Sequence, residues 1–348
     1  MLQRLYTQLP DFARPSHPLM RYSLLRRLRR QSLTIQALRL IFVLLTAGAL
    51  IFVGYQIATN NGTTPLDTPE PLDSVFLVLY WPLCGIQLLL RIFALTTTVG
   101  VISAETQRGT WDTLKVTTNG ARLLLKARWA AVFYRLWAVL TALLLIRVFF
   151  IVVALINLSK FQGRYLDLLL SGTTPLGQPN ISTDMQVVAG IVIMAMMMTA
   201  SLLAPFTAIA FDAGLGMFIG TLTRGRFIGV LGQLLLILIR VGITIFVLWL
   251  TWQILSFSSV FGPSATTAPG TALIDNQPIA WVSAFAGLVE GDLNLSLLNL
   301  DRVQVLWADI EYGVFLGIAA LGYVLLQAAL ANGLVLWAGR RAANADKF

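Results

Sequence analysis

Residues 227–255 read FIGVLGQLLLILIRVGITIFVLWLTWQIL and carry one charge, Arg240. A helix needs about 20 mostly apolar residues to cross the hydrocarbon core of a bilayer, and this run exceeds that. It shows no period-2 alternation, which disfavours a strand of an outer-membrane barrel. Five other segments have the same character: Leu40 to Ala58, Val75 to Val99, Trp129 to Leu158, Val187 to Phe211 and Tyr312 to Trp337. The expected fold class is therefore all-α, a polytopic membrane protein of six transmembrane helices. Several spans are longer than the minimum, so tilting or extension beyond the bilayer is expected.

The composition agrees. Of 348 residues, 57% are hydrophobic and 12% charged, with a mean hydropathy of +0.77. A soluble domain carries about 25% charged residues, so a soluble enzyme, a disordered chain and a collagen-like rod are excluded. There is one histidine, His17, and one cysteine, Cys84. That leaves no internal disulfide, no zinc finger or multi-His metal site, and no Cys–His nucleophile pair.

The formal net charge of +9 sorts by topology. Eighteen basic residues fall in the N-terminal segment, the second-to-third loop, the fourth-to-fifth loop and the C-terminus. Only Lys160, Arg164 and Arg302 fall in the opposite loops, among acids that include Asp67, Glu70, Asp73, Glu290, Asp292 and Glu311. By the positive-inside rule both termini are cytoplasmic, in the cell (plasma) membrane. Membrane lipid of anionic type is the expected counterpart of this charge, and no nucleic-acid partner is needed.

Two regions follow. Residues 1–38 form a cytoplasmic basic segment, and residues 39–348 the six-helix transmembrane domain. Leu24, Leu25 and Leu28, with Arg21, Arg26, Arg27, Arg29 and Arg30 around them, predict an N-terminal amphipathic interfacial helix. The Arg-rich stretch before Leu40 lacks the short apolar core and small-residue cleavage site of a signal peptide. Residues 59–74 and 159–186 read as outward loops. The large outer loop, 256–311, is too long for a plain connection, and residues 281–300 within it are apolar enough for short helices or a segment dipping into the membrane.

Four arginines fall inside the spans. Insertion of an Arg at mid-bilayer costs roughly 2.5–3.5 kcal/mol. Arg91 and Arg135 are placed near the cytoplasmic ends, where snorkelling accounts for them. Arg147 and Arg240 are deeper, and no acidic residue falls inside a span as the spans are drawn. Both are candidates for a polar substrate pathway, Arg240 against an acidic headgroup; the alternative is structural bonding to carbonyls or polar side chains. Pro82 and Pro205 are expected to kink their spans. Gly216/Gly220, Gly225/Gly229 and Gly313/Gly317 are small-residue pairs suited to close helix packing or a dimer seam.

The loop between the second and third spans, 101–128, is polar, cytoplasmic and helix-forming. Gly109 permits a tight backbone before a helix, Thr110 is a good N-cap, and Asp112 sits where the helix dipole favours an acid. Glu105 and Arg108 are three apart and can pair. The stretch Glu105-Thr106-Gln107-Arg108-Gly109-Thr110-Trp111-Asp112-Thr113-Leu114, with Thr117 and a basic position at Lys126 or Arg128, resembles the signature of type-2 ABC exporter permeases. Pro18-Leu19 with the following arginines, and Gly214-Leu215-Gly216 through Arg226 as a short inner loop, are similar to further features of that family. Thr118 stands where the family has proline, and Thr106 where a basic residue is common. Without this likeness, an ordinary capped cytoplasmic helix accounts for the stretch.

The resemblance implies a coupling helix that docks on a cytoplasmic ABC ATPase subunit, with Glu105, Arg108, Gly109, Thr110, Asp112 and Leu114 as the coupling residues. It also implies a homodimer or heterodimer of permeases, exporting an amphipathic or lipid-like substrate. The chain has no phosphate loop of the G-x-x-x-x-G-K-[S/T] type. No cofactor is expected on it, ATP and Mg²⁺ belonging to the partner ATPase, and the chain is expected to be non-catalytic. Two other readings stand beside this one: a non-transporting scaffold subunit of a membrane complex, and a membrane-embedded lipid-modifying enzyme using Glu290 and Asp292.

Overall fold

The structure, a computed structural model, describes residues 10–25, 71–107, 109–111, 120–159, 184–223, 226–260 and 315–344. Among the described residues every regular element is helical and there is no strand. A 3₁₀ turn, Asp11–Ala13, precedes α1 (Pro18–Leu25), α2 (Pro71–Val99), α3 (Val101–Thr106), α4 (Gly120–Ser159), α5 (Asp184–Leu222), α6 (Arg226–Val260) and α7 (Phe315–Asn344). Five stretches are long and apolar enough to cross a membrane: Pro82–Thr106, Gly120–Val152, Met194–Leu222, Ile228–Val247 and Gly317–Ala343. An apolar helix satisfies its backbone internally, which is what a bilayer demands, and the chain is a helical membrane protein. The expected span at 40–58 lies outside the described residues, as do loop residues 261–311 with segment 281–300, and the Arg26 to Arg30 cluster.

One expectation changes. Gly214 to Leu222, read as a short inner loop, is helical and continues α5. Glycine disfavours a helix interior by about 1 kcal/mol, but here it lets another backbone approach. A Cβ at Gly216 would meet the Leu95 carbonyl oxygen at 2.9 Å and press on the Thr98 hydroxyl, and one at Gly220 would press on the Val99 carbonyl oxygen. The Gly216/Gly220 pair thus seats α5 on the end of α2 within one chain, an intramolecular seam. Thr96, Thr97 and Thr98 bond back to the carbonyls of Phe93, Ala94 and Leu95, so α2 satisfies its hydroxyls locally. Pro82 and Pro205 both lie inside continuous helices.

The chain forms two compact units. The first comprises Met1–Ala142, Phe206–Arg240 and Gln327–Phe348; the second comprises Leu143–Pro205 and Val241–Leu326. In the first, α1 buries Met20 against Ala130 and Ala131 of α4, with Phe12, Leu24 and Tyr134 around them. Proline opens α1, a position where its missing N–H and fixed φ suit a helix. Tyr134 donates to the Ala13 carbonyl at 2.8 Å, and Arg135 donates to the Ser23 carbonyl in the last turn of α1 at 3.1 Å. A cation against the last carbonyls complements the helix dipole. Arg135 is therefore held by α1.

In the second unit, Ala200 and Ala204 of α5 pack on Ala320 and Val324 of α7. Small residues at such a crossing let the backbones come close, the usual basis of helix association where no water drives it.

Candidate functional site

Gly100 ends α2 and α3 begins at once, carrying Glu105 in its last turn. Gly109 then takes φ +67°, the left-handed region that other L residues rarely adopt, and its N–H donates to the Thr106 carbonyl at 3.0 Å. The chain turns there, and Thr110 comes back over Glu105. The Thr110 hydroxyl lies 2.8 Å from Glu105 Oε2, to which it donates. Arg128 of α4 donates from Nη2 to Glu105 Oε1 at 2.7 Å. Both carboxylate oxygens are therefore held, and Glu105 is only 1% exposed.

The clamp reaches further. Arg128 stacks over the Tyr22 ring of α1, 5.6 Å from its centroid, a geometry that favours a cation on an aromatic face. Trp129, next along α4, donates from Nε1 to the Ala210 carbonyl of α5 at 3.0 Å. Trp111, two residues past the turn, is buried with Val101, Ala121, Leu124, Leu125, Met217, Ala338 and Ala342. The segment 101–111 is thus fixed at Glu105 by charge and at Trp111 by apolar packing. What it leaves exposed is Thr106, Gln107 and Gly109.

Sequence spacing offered Arg108 as the partner of Glu105. Among the described residues its ion-pair partner is Arg128, 23 positions on, because the helical hairpin brings α4 beside α3. Arg108, Asp112 and Leu114 lie outside the described residues. Trp111 was not singled out by sequence, although a tryptophan in a polar cytoplasmic stretch was a visible anomaly.

A second cluster lies among the spans. Asp212 of α5, 1% exposed, accepts from Arg91 Nε of α2 at 2.6 Å, and Arg240 Nε of α6 stands 3.7 Å from the same oxygen. This corrects the expectation that no acid lies inside a span. Hydropathy ended the fourth span at Phe211, one residue short of Asp212, while the helix runs on to Leu222. It also corrects the snorkelling expected of Arg91, which is 3% exposed and internally paired. Pairing supplies inside the span the interaction that each charge would otherwise lose with water.

Arg147 is completely buried; its Nη1 donates to the Ser201 carbonyl and stands 3.4 Å from the Ser201 hydroxyl. The structure therefore places Arg147 against a carbonyl and Arg240 beside a carboxylate. Thr207 of α5 donates to Gln327 Oε1 of α7 at 2.8 Å, a further polar tie in the first unit. Among the described residues no three His, Cys, Asp or Glu side chains are grouped as for a metal ion. No family model matches the chain, and no curated protein or solved structure does so.

Proposed function

We propose that the chain is the transmembrane subunit of an ATP-driven transporter, coupled through segment 101–111 to a separate cytoplasmic ATPase of the ABC class. The observation that carries this reading is the clamp on Glu105. A loop that merely joins two spans needs no buried ion pair, no left-handed glycine and no buried tryptophan. A loop that passes displacement from a soluble motor into helices must not yield when pushed. Segment 101–111 is anchored to α1, α4, α5 and α7 and offers a short polar tip at Thr106, Gln107 and Gly109.

In this reading Glu105 is a positioning residue, since its carboxylate faces Arg128 and Thr110. The direct contact with the ATPase falls on the tip and on Arg108, Asp112 and Leu114. ATP and Mg²⁺ stay on the partner, and the substrate is amphipathic or lipid-like, moving outward through a pair of permease chains. The full topology has six spans with both termini in the cytoplasm of a plasma-membrane protein.

The test is purification of the full chain from its native membrane, with and without Gly109→Val. The expected result is stoichiometric recovery of an ABC ATPase with the unaltered chain, reduced at least tenfold by the substitution, while α-helix content is unchanged. Recovery of the chain with no ATPase would overturn the reading and favour the scaffold. Lipid-modifying activity in the isolated chain, lost on Glu290→Gln, would overturn it in favour of the enzyme.

A further inference from the structure

Residues 10–25 straddle α4 near its start. At 3.6 residues per turn, Lys126, Ala130 and Tyr134 share an arc of about 80° on α4, and Arg128, Ala131 and Arg135 a neighbouring arc of about 60°. The first arc takes the 3₁₀ turn: Lys126 Nζ lies 5.5 Å from the Phe12 ring centroid, and Tyr134 donates to the Ala13 carbonyl. The second takes α1: Arg128 lies over the Tyr22 ring, and Arg135 donates to the Ser23 carbonyl. Met20, fully buried, packs with Ala130 and Ala131, one from each arc. The segment is a saddle, and its Tyr22 edge meets the residue that clamps Glu105.

Arg128 is a buried cation with an incomplete set of hydrogen bonds. Its Nη2 donates to Glu105 Oε1 at 2.7 Å, while its buried Nε has no hydrogen-bond partner among the described residues. Arg128 is 9% exposed and Glu105 1%, whereas Tyr22, lying over the guanidinium, is 43% exposed. A partly exposed ring thus roofs a buried ion pair. Its π face supplies attraction that Nε does not get from a hydrogen bond. Its bulk keeps water from a pair whose strength depends on a low local dielectric. Glu105 in turn holds the Thr110 hydroxyl at 2.8 Å, just past the turn at Gly109. Ring, guanidinium, carboxylate and hydroxyl form one chain of contacts from α1 to the tip at Thr106, Gln107 and Gly109.

We infer that Tyr22 is a positioning residue for segment 101–111, and that the seating of α1 on α4 regulates that segment. With α1 seated the Glu105 clamp is shut. With α1 lifted, water reaches Arg128, the ion pair weakens and the turn at Gly109 loosens. Regulation in this sense rests on the transporter reading, since a segment that yields cannot transmit displacement; the contacts themselves require no ATPase.

The experiment is hydrogen exchange of the full-length protein in detergent, without ATPase, read by mass spectrometry on peptides covering residues 101–111. Exchange there reports the local opening equilibrium. Tyr22→Ala is expected to speed it about fivefold or more, through loss of the cation–ring contact. Tyr22→Phe keeps the ring and is expected to stay within about twofold of the unaltered protein. Met20→Ala loosens the seat of α1 and is expected to speed exchange in 101–111 as well. Arg21→Gln, an exposed cation beside Tyr22, is the control for surface charge and is expected to change nothing. The deciding comparison places Tyr22→Ala in a Glu105→Gln background. Because the ring acts through the ion pair, it is expected to add nothing there. Arg128→Met supplies the same background if Glu105→Gln does not fold.

Unchanged exchange in Tyr22→Ala would overturn the positioning role. So would an undiminished effect of Tyr22→Ala in the Glu105→Gln background, which would mean that the ring does not act through the clamp. Faster exchange confined to residues 10–25 and 126–135 in Met20→Ala would overturn the regulation, by showing that the seat of α1 is structural alone. Recovery of an ATPase with the chain tests the transporter reading separately, so either can fail without the other.

Discussion

At the scale of single residues, buried charges are fixed in place by one another. Glu105 holds Arg128, and removing Glu105 leaves a buried guanidinium without its carboxylate, a loss of about 3–5 kcal/mol. Glu105→Leu is therefore expected to lower stability by that amount in denaturant titrations of the micellar protein. Glu105→Leu/Arg128→Leu should recover most of it, because an apolar pair of similar volume replaces both charges. A double variant as unstable as the single one would show that the pair is not coupled. Asp212 makes a sharper comparison. Its closer partner is Arg91 at 2.6 Å and its farther one Arg240 at 3.7 Å. Asp212→Leu takes the shared carboxylate from two guanidinium groups, whereas Arg240→Leu leaves the tighter pair intact. The first is expected to destabilise more than the second in the same titration, by about 2 kcal/mol or more; equal losses would contradict the shared carboxylate.

At the scale of elements, close approach decides which substitutions are tolerated. The backbone of Gly220 lies against the Val99 carbonyl, whereas a Cβ at Gly229 would meet only the Thr223 hydroxyl, at 3.6 Å. Gly220→Val is thus expected to cost about 1–3 kcal/mol or more by overpacking, and Gly229→Val much less, as read from melting temperatures in detergent. Trp111 is the opposite case, a large side chain filling the junction of α4, α5 and α7. Trp111→Ala should cost about 3–5 kcal/mol and raise protease cleavage within residues 101–119 before global unfolding. Five of the spans were legible because hydrophobicity is local and additive along a chain. The end of α5 was not, since Asp212 reads as a boundary until Arg91, 121 residues away, is known to neutralise it. Spacing offers Arg108 to Glu105, and Arg108 lies outside the described residues; the pair with Arg128 was not legible, because only the hairpin brings residue 128 beside residue 105. The glycine pair at 216 and 220 announced a close contact, but nothing in its spacing says whether the other surface is α2 or a second chain.

At the scale of the whole molecule, the sequence assigns the basic ends of the chain to one side of the membrane, and a labelling experiment checks it. Cys84 is the only cysteine and is buried, so Cys84→Ser gives a blank background. Gln107→Cys and Ala343→Cys, both exposed, are expected to react with a membrane-impermeant maleimide only in inverted vesicles. Asn180→Cys is expected to react only in right-side-out vesicles. Gln107 and Ala343 reacting from opposite sides would refute the topology. The helix α6 has a consequence of its own. Only 11% of its most apolar window is buried, the lowest share among the five spans, while Leu231, Leu234, Leu235 and Leu238 are all more than half exposed. Its buried residues, Arg240, Thr244 and Val247, recur at intervals of four and three, so one narrow stripe of the rod is turned away from lipid. Arg240 is the notch on that stripe, and Asp212 is the detent that receives it.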